Sequence, residues 1–208
     1  MLVRIGFRIS RGFVVGLVLV HGIIRCAANC EGAAPTEVLL VINDDSAASR
    51  EIGRYYAVKR RIPAVNICHI RCPEDEYVSG QVYDKQIAAP ISEHLAKYKL
   101  EKSISYVVLT KGIPLGTGAL WGRPGCDWSV DSLLTYMKRY EDFGELRGII
   151  RNPYFESTDR FSYSKYRFRL VTRLDGYTVA DAKALVDNSL AARGMKGLFL
   201  IDTTPQRN

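Results

Sequence analysis

Apolar runs and helix-spaced apolar positions take turns along this chain of 208 residues. Val38 to Asn43 (VLLVIN) is an unbroken apolar run that closes on Asn43, Asp44, Asp45 and Ser46. A short continuous run bounded by turn residues predicts a strand buried on both faces. Ser46 is placed to cap a following helix, and the two Asp side chains suit its positive amino end. That helix is predicted to reach about Lys59, with Ile52, Tyr55 and Tyr56 on one face, Arg50, Arg54 and Arg60 towards water, and Ile62-Pro63 as its stop. From Asn66 to Cys72, Cys68, Ile70 and Cys72 alternate with His69 and Arg71, the pattern of a strand with one wet face at a sheet edge.

The same alternation continues downstream. Ile87, Ile91, Leu95 and Tyr98 fall at helical spacing between Tyr83 and Tyr98, with Pro90 predicting a kink or a restart. Ile104 to Leu109 (ISYVVL) repeats the buried-strand pattern and ends in Thr110-Lys111-Gly112. The stretch 113–166 is rich in Gly, Pro and aromatic residues and is expected to be irregular, longer than an ordinary connection. Phe168 to Leu174 (FRLVTRL) predicts another strand. Thr178 to Ala192 predicts a helix with a Thr178/Asp181 capping box and an apolar stripe of Ala182, Leu185, Val186 and Leu190. Gly197 to Asp202 (GLFLID) predicts a last strand. Strands alternating with helices predict an α/β fold: a mostly parallel sheet flanked by helices in a three-layer, Rossmann-like sandwich. Six residues after Asp202 leave no helix to cover that strand, so the chain is expected to be the amino-terminal part of a longer protein.

Ahead of this body lies a different pattern. Arg4, Arg8 and Arg11 precede an apolar run from Gly12 to Ile24, and small residues follow at Ala27, Ala28, Ala33 and Ala34. This is the pattern of a secretory signal peptide, spanning 1–28 with cleavage as late as 34, and the run is shorter than the ~20 residues of a membrane span. An uncleaved anchor is the alternative. The expected location is the periplasm, cell envelope or exterior, with a single domain over 35–208.

Export changes the reading of charge. The whole chain carries a net +7, yet Arg4, Arg8, Arg11 and Arg25 all lie before Ala28 with no acid among them, leaving +3 for the exported part. That is an ordinary surface, so nucleic acid is not an expected partner.

Four cysteines remain after the signal: Cys30, Cys68, Cys72 and Cys126. On one straight strand Cys68 and Cys72 would stand ~13 Å apart, too far for a disulfide. Buried free thiols, or Cys72 paired with Cys126, are the two readings. No second ligand pair follows at zinc-site spacing, so no metal is predicted.

Parallel α/β sheets bind ligands beyond the carboxyl ends of their strands. Those ends carry Asp44, Asp45, Lys111, Arg173 and Asp175, with Asp131 in the 113–166 stretch. These six are the candidate ligand-binding rim. Two readings stay open: a polar pocket, or helix caps, a turn and ion pairs that serve the fold alone. Trp121, Trp128, Tyr136, Tyr140 and Tyr154 are either contacts for peptide or glycan or core packing. The chain lacks a dinucleotide glycine fingerprint, a P-loop, a nucleophile elbow and a His-Glu-x-x-His motif, and no cofactor is predicted. His69 and His94 read as surface or edge histidines, and a Cys126–His69 dyad has no spacing to support it.

Taken together, VLLVINDDSAASREIGRYYAVKRRIPAVNICHIRC, QIAAPISEHL, SYVVLTKGIPL, SVDSLL, NPYF and RLVTRLDGYTVADAKAL resemble an uncharacterised family of exported proteins from bacteria that carry the exosortase sorting system. VLLVINDDS with KRRIP, and the later SYVVLTKGIPL, SVDS and RLVTRLDGYTVADAKALVDNSL, are more distantly similar to gingipain-like cysteine peptidases. The resemblance implies a caspase-like fold and a role in envelope protein sorting or surface-polymer export, with envelope proteins, peptide or glycan as partners. It also implies that a peptidase's catalytic His and Cys would lie beyond Asp202, so no catalytic residue is assigned. The expectation is a peptidase-like protein that is not catalytic as this chain. The alternatives are the first half of an active caspase-like cysteine peptidase and a Rossmann-like module for a small molecule or glycan.

Overall fold

A computed structural model describes residues 33–118, 128–137 and 152–192. The expectations on the signal segment, on Cys30, Cys126, Trp121 and Tyr140, and on the strand at 197–202 lie outside the described residues. The chain divides into two compact units, Met1–Ala34 and Pro35–Asn208, and the described strands and helices all belong to the second.

Its centre is a sheet of four parallel strands: β1 (Val38–Asn43), β2 (Ile67–Ile70), β4 (Tyr106–Thr110) and β7 (Leu170–Leu174), in the order β2-β1-β4-β7. The fold is α/β, as the alternating pattern predicts. All six residues of β1 are buried, and its five apolar ones divide between two cores. Leu39 and Val41 join Val107 and Leu109 on one face, whereas Val38, Leu40 and Ile42 join Val108 on the other. A strand buried on both faces has no polar alternation, which is why VLLVIN reads as one run.

Helix α1 (Ala47–Arg60) covers the second face, and α5 (Val179–Ala191) packs beside it. Ser46 accepts from the Ser49 N–H at 3.2 Å and caps α1, and Thr178 and Asp181 form the complete capping box of α5. Gly53 of α1 rests on Ile42 so closely that a Cβ would stand 2.5 Å from Ile42 Cδ1. The other face is covered by α2 and by α3 (Val130–Tyr136). Helix α2 runs from Gly80 to Lys97 through an α turn (Gly80–Val82), a π-helical segment (Tyr83–Ala88) and a regular segment (Ala89–Lys97). Ile87, Ile91 and Leu95 of α2 are buried against the sheet.

Four details refine the sequence pattern. Pro90 marks a restart, one of the two outcomes its position predicts: it stands in the first turn of the regular segment, directly after the π turn. The π turn immediately before it bonds the Ala89 N–H to the Asp84 carbonyl, and that widened ladder takes up the proline. Second, 113–166 is not wholly irregular. Gly116–Thr117 (β5) pairs parallel with Tyr77–Val78 (β3) and antiparallel with Trp128–Ser129 (β6), and Ser129 caps α3 (Val130–Tyr136). A further short helix, α4, covers Tyr163–Tyr166. Two-residue strands are too short to leave a periodic signal. Third, Leu185 of the predicted apolar stripe is 50% exposed, while Ala182 and Val186 are buried. The α1–α5 seam is polar instead: Tyr55 donates to Asp187 at 2.7 Å and Arg60 to Ser189 at 2.6 Å. Fourth, Arg50 and Arg60 are half-buried rather than turned wholly to water, Arg50 reaching back to the Asp44 carbonyl.

Trp128, Tyr136 and Tyr154, the described members of the aromatic set, pack against other side chains of the fold. Tyr154, Phe161, Tyr166 and Phe168 form one ring cluster, with Tyr154–Tyr166 centroids 5.0 Å apart, and Tyr136 joins it through Phe168 at 5.9 Å. Trp128 and Tyr136 also lean on the main core. Among the described residues no helix is long and apolar enough to cross a membrane.

Candidate functional site

The chain passes from β1 to β2 over α1 on one face, then from β2 to β4 over α2 on the other. Strand order therefore reverses between β1 and β4, the position where parallel α/β sheets open a crevice at their carboxyl edge. Here the bottom of that crevice is filled. The Asn43 side-chain amide donates to the carbonyls of Cys72 (2.9 Å) and Gly112 (2.7 Å), and its oxygen accepts from the N–H groups of Cys72 and Asp45. Ser49 Oγ accepts from the Asn43 N–H at 2.7 Å and lies 2.5 Å from Thr110 Oγ1, which in turn donates to the Val41 carbonyl. All three side chains are buried. Gly112 has φ +88°, and a Cβ there would stand 2.3 Å from Ser46 Oγ. Close backbone contact thus fills the bottom of the crevice.

What remains open lies beside this plug, towards β7. A cleft of about 230 Å³ is lined by Ala48 at the start of α1, Glu74, Asp75 and Glu76 after β2, Lys111 to Ile113 and Leu115 after β4, and Asp175 after β7. Among these described residues four carboxylates face one ammonium, and that ammonium is taken: Lys111 Nζ donates to Asp175 Oδ1 at 2.8 Å and to the Gly176 carbonyl at 2.7 Å. Burial is the largest influence on the Asp175 carboxyl and works against its ionisation. The Lys111 hydrogen bond, the Gly176 N–H and the charges of Lys111 and Arg173 outweigh it, so the group is held below the usual carboxylate range. The cleft is therefore a region of negative potential at ordinary pH.

The six rim residues sort into separate pairs. Lys111 and Asp175 line the cleft. Arg173 and Asp131 lie behind its wall: Arg173 Nε donates to Asp131 at 2.8 and 3.0 Å, Nη1 to the Ile113 carbonyl at 2.6 Å, and Nη2 to the Pro114 carbonyl at 2.5 Å. Asp44 and Asp45 are not among the cleft residues. Asp44 meets His69 Nδ1 at 2.7 Å and Asp45 meets Arg71 at 3.0 Å, joining the β1–α1 turn to the end of β2. His94 binds the Val65 carbonyl at 2.8 Å.

Sequence pattern does not single out Glu74, Asp75 and Glu76. Their signal is the acidic run PEDE after an edge strand, which reads equally as a solvated turn until β3 and β5 fold it over the strand ends. Cys68 and Cys72 are free and buried, the first of the two readings for the cysteines. Burial pushes both thiols up to about 12, with Asp45 and Glu74 adding to the effect at Cys72. A nucleophilic thiol needs the opposite shift. Among the described residues, no group of three or more His, Cys, Asp or Glu side chains is arranged to hold a metal ion.

Comparison of the chain with protein-family models, with curated proteins and with solved structures finds no match.

Proposed function

We propose that this chain is an exported, peptidase-like binding domain of the cell envelope, without catalysis of its own, that holds a basic peptide segment of a partner in the cleft beside β4 and β7. The observation that carries the reading is the lining of that cleft among the described residues: Glu74, Asp75, Glu76 and Asp175 against Lys111, whose charge Asp175 already balances. A Lys or Arg side chain entering there meets carboxylates in excess of the cation that lines the cleft with them. Leu115, at 39% exposure, offers an apolar edge against which a long aliphatic stem packs. The filled switch point favours an extended chain across the cleft over a nucleotide seated at the sheet edge.

Export, the caspase-like affiliation and the sorting role belong to this proposal. They rest on the charged, apolar and Ala-rich segments of residues 1–34 and on the resemblance of the strand-end motifs. The parallel sheet between helical layers supports the affiliation at the level of fold class.

The test is titration of the protein with short Lys/Arg-rich, neutral and Asp/Glu-rich peptides at low and high salt. The basic peptide should bind and should lose most of its affinity at high salt and in a Glu74→Gln/Asp75→Asn/Glu76→Gln variant. Equal affinity for all three peptides, or full affinity in the triple variant, would overturn the proposal.

A further inference from the structure

We infer that Arg173 is the positioning residue of the cleft, which it serves without facing the ligand; the inference rests on the reading of the cleft as the binding site. Arg173 stands on β7 with its side chain only 12% exposed. Its three nitrogens are committed inside the fold, to Asp131 in the first turn of α3 and to the carbonyls of Ile113 and Pro114. Those carbonyls belong to the segment that forms one wall of the cleft. The next two residues turn the other way: the Leu115 and Gly116 N–H groups both donate to the Glu76 carbonyl, at 2.8 and 3.2 Å. One polar chain thus runs from Asp131 through Arg173 and the wall to the acidic loop.

The geometry demands a guanidinium. Two adjacent carbonyls and a carboxylate are served at once by a planar fork, while a lysine ammonium in the same place is a point donor that leaves an acceptor short. Without the fork the wall loses its anchor to the sheet, and its hydrogen bonds to Glu76 are left to hold it against the acidic loop. The position of the carboxylates then depends on a residue that never touches the ligand. Asp131 supplies the countercharge that lets Arg173 stay buried.

Amide hydrogen exchange of Arg173→Lys and of Asp131→Asn, read alongside the affinity for a Lys/Arg-rich peptide, tests this. In Arg173→Lys the Leu115 and Gly116 amides should exchange on the order of tenfold faster while the amides of β1 and β4 keep their protection, because only a local opening is eased. Asp131→Asn, which keeps the guanidinium and both carbonyl bonds, should show a smaller increase at the same two amides. Peptide affinity should fall with the increase in exchange. Unchanged exchange at Leu115 and Gly116, or an equal rise throughout β4, would overturn the positioning role. Faster exchange at those two amides with undiminished peptide affinity would uphold the positioning role and overturn the cleft as the binding site.

Discussion

Asn43 reaches across the sheet edge to Gly112: its side-chain amide donates to the Gly112 carbonyl at 2.7 Å while the same nitrogen holds the Cys72 carbonyl at 2.9 Å. One residue at the end of β1 therefore ties down the chain leaving both neighbouring strands, β2 and β4. That buried amide fills the bottom of the crevice between β1 and β4, and the open cleft lies towards β7.

Asn43→Ala should cost about 2–4 kcal/mol, because it leaves the Cys72 N–H and two carbonyls without their partner in a buried setting. Urea unfolding of the variant measures it. A loss under about 1 kcal/mol would mean that the three groups find other partners and that the plug is not a unit.

Gly112→Ala tests the same junction from the other side. At φ +88° a side chain is strained, and its Cβ would lie 2.3 Å from Ser46 Oγ. The expected loss is about 1–3 kcal/mol from backbone strain, with the clash added to it. Ser46→Gly removes the clashing hydroxyl, so the double variant should be more stable than the two single losses added together. Strict additivity would show that the contact is not made.

The thiols give a pH signature. Cys68 and Cys72 keep their protons in the folded chain up to about 12, whereas an unfolded thiol ionises near 8.5. The unfolded state then binds fewer protons than the folded one, so stability should fall as pH rises above about 8.5 and continue to fall towards 12. Cys68→Ala should flatten part of that decline. In the native protein both thiols should resist a disulfide reagent near neutral pH and react on unfolding. Rapid labelling of native Cys68 or Cys72 would contradict the burial.

Asp175 works at the acid end. Its carboxyl is held below the usual range, so its contribution is present above about pH 4 and is lost as pH falls through the lowered folded value. Asp175→Asn should therefore reduce the acid sensitivity of stability below that point and lower stability at neutral pH by no more than about 1 kcal/mol, since the pair is over a third exposed on the Asp175 side and solvent screens it. An unaltered acid limb would mean that other carboxylates govern it.

The legible parts of this protein are those written in short-range patterns. Burial on both faces makes VLLVI and VVL apolar without interruption, and the caps at Ser46 and Thr178 satisfy helix N–H groups only three residues away, so strands, helix starts and the α/β class can all be read from local sequence. Asp44, Asp45, Lys111, Arg173 and Asp175 are legible as strand-end residues because each closes or follows an apolar run, yet only Lys111 and Asp175 of them line the cleft. The pairing of the rim residues is not legible. Arg173 lies 42 residues from Asp131 and Lys111 lies 64 from Asp175, and strand order alone decides which of them meet. Likewise nothing in the run Glu74-Asp75-Glu76 distinguishes a cleft wall from a solvated turn. That distinction comes only from the Leu115 and Gly116 amides closing on the Glu76 carbonyl, a contact made across 39 residues or more of chain. Sequence by itself determined which segments bury their faces, because the hydrophobic effect acts residue by residue. Tertiary structure decided which charges neutralise one another and which are left facing the cleft, because ion pairing depends on distances that only the folded sheet sets.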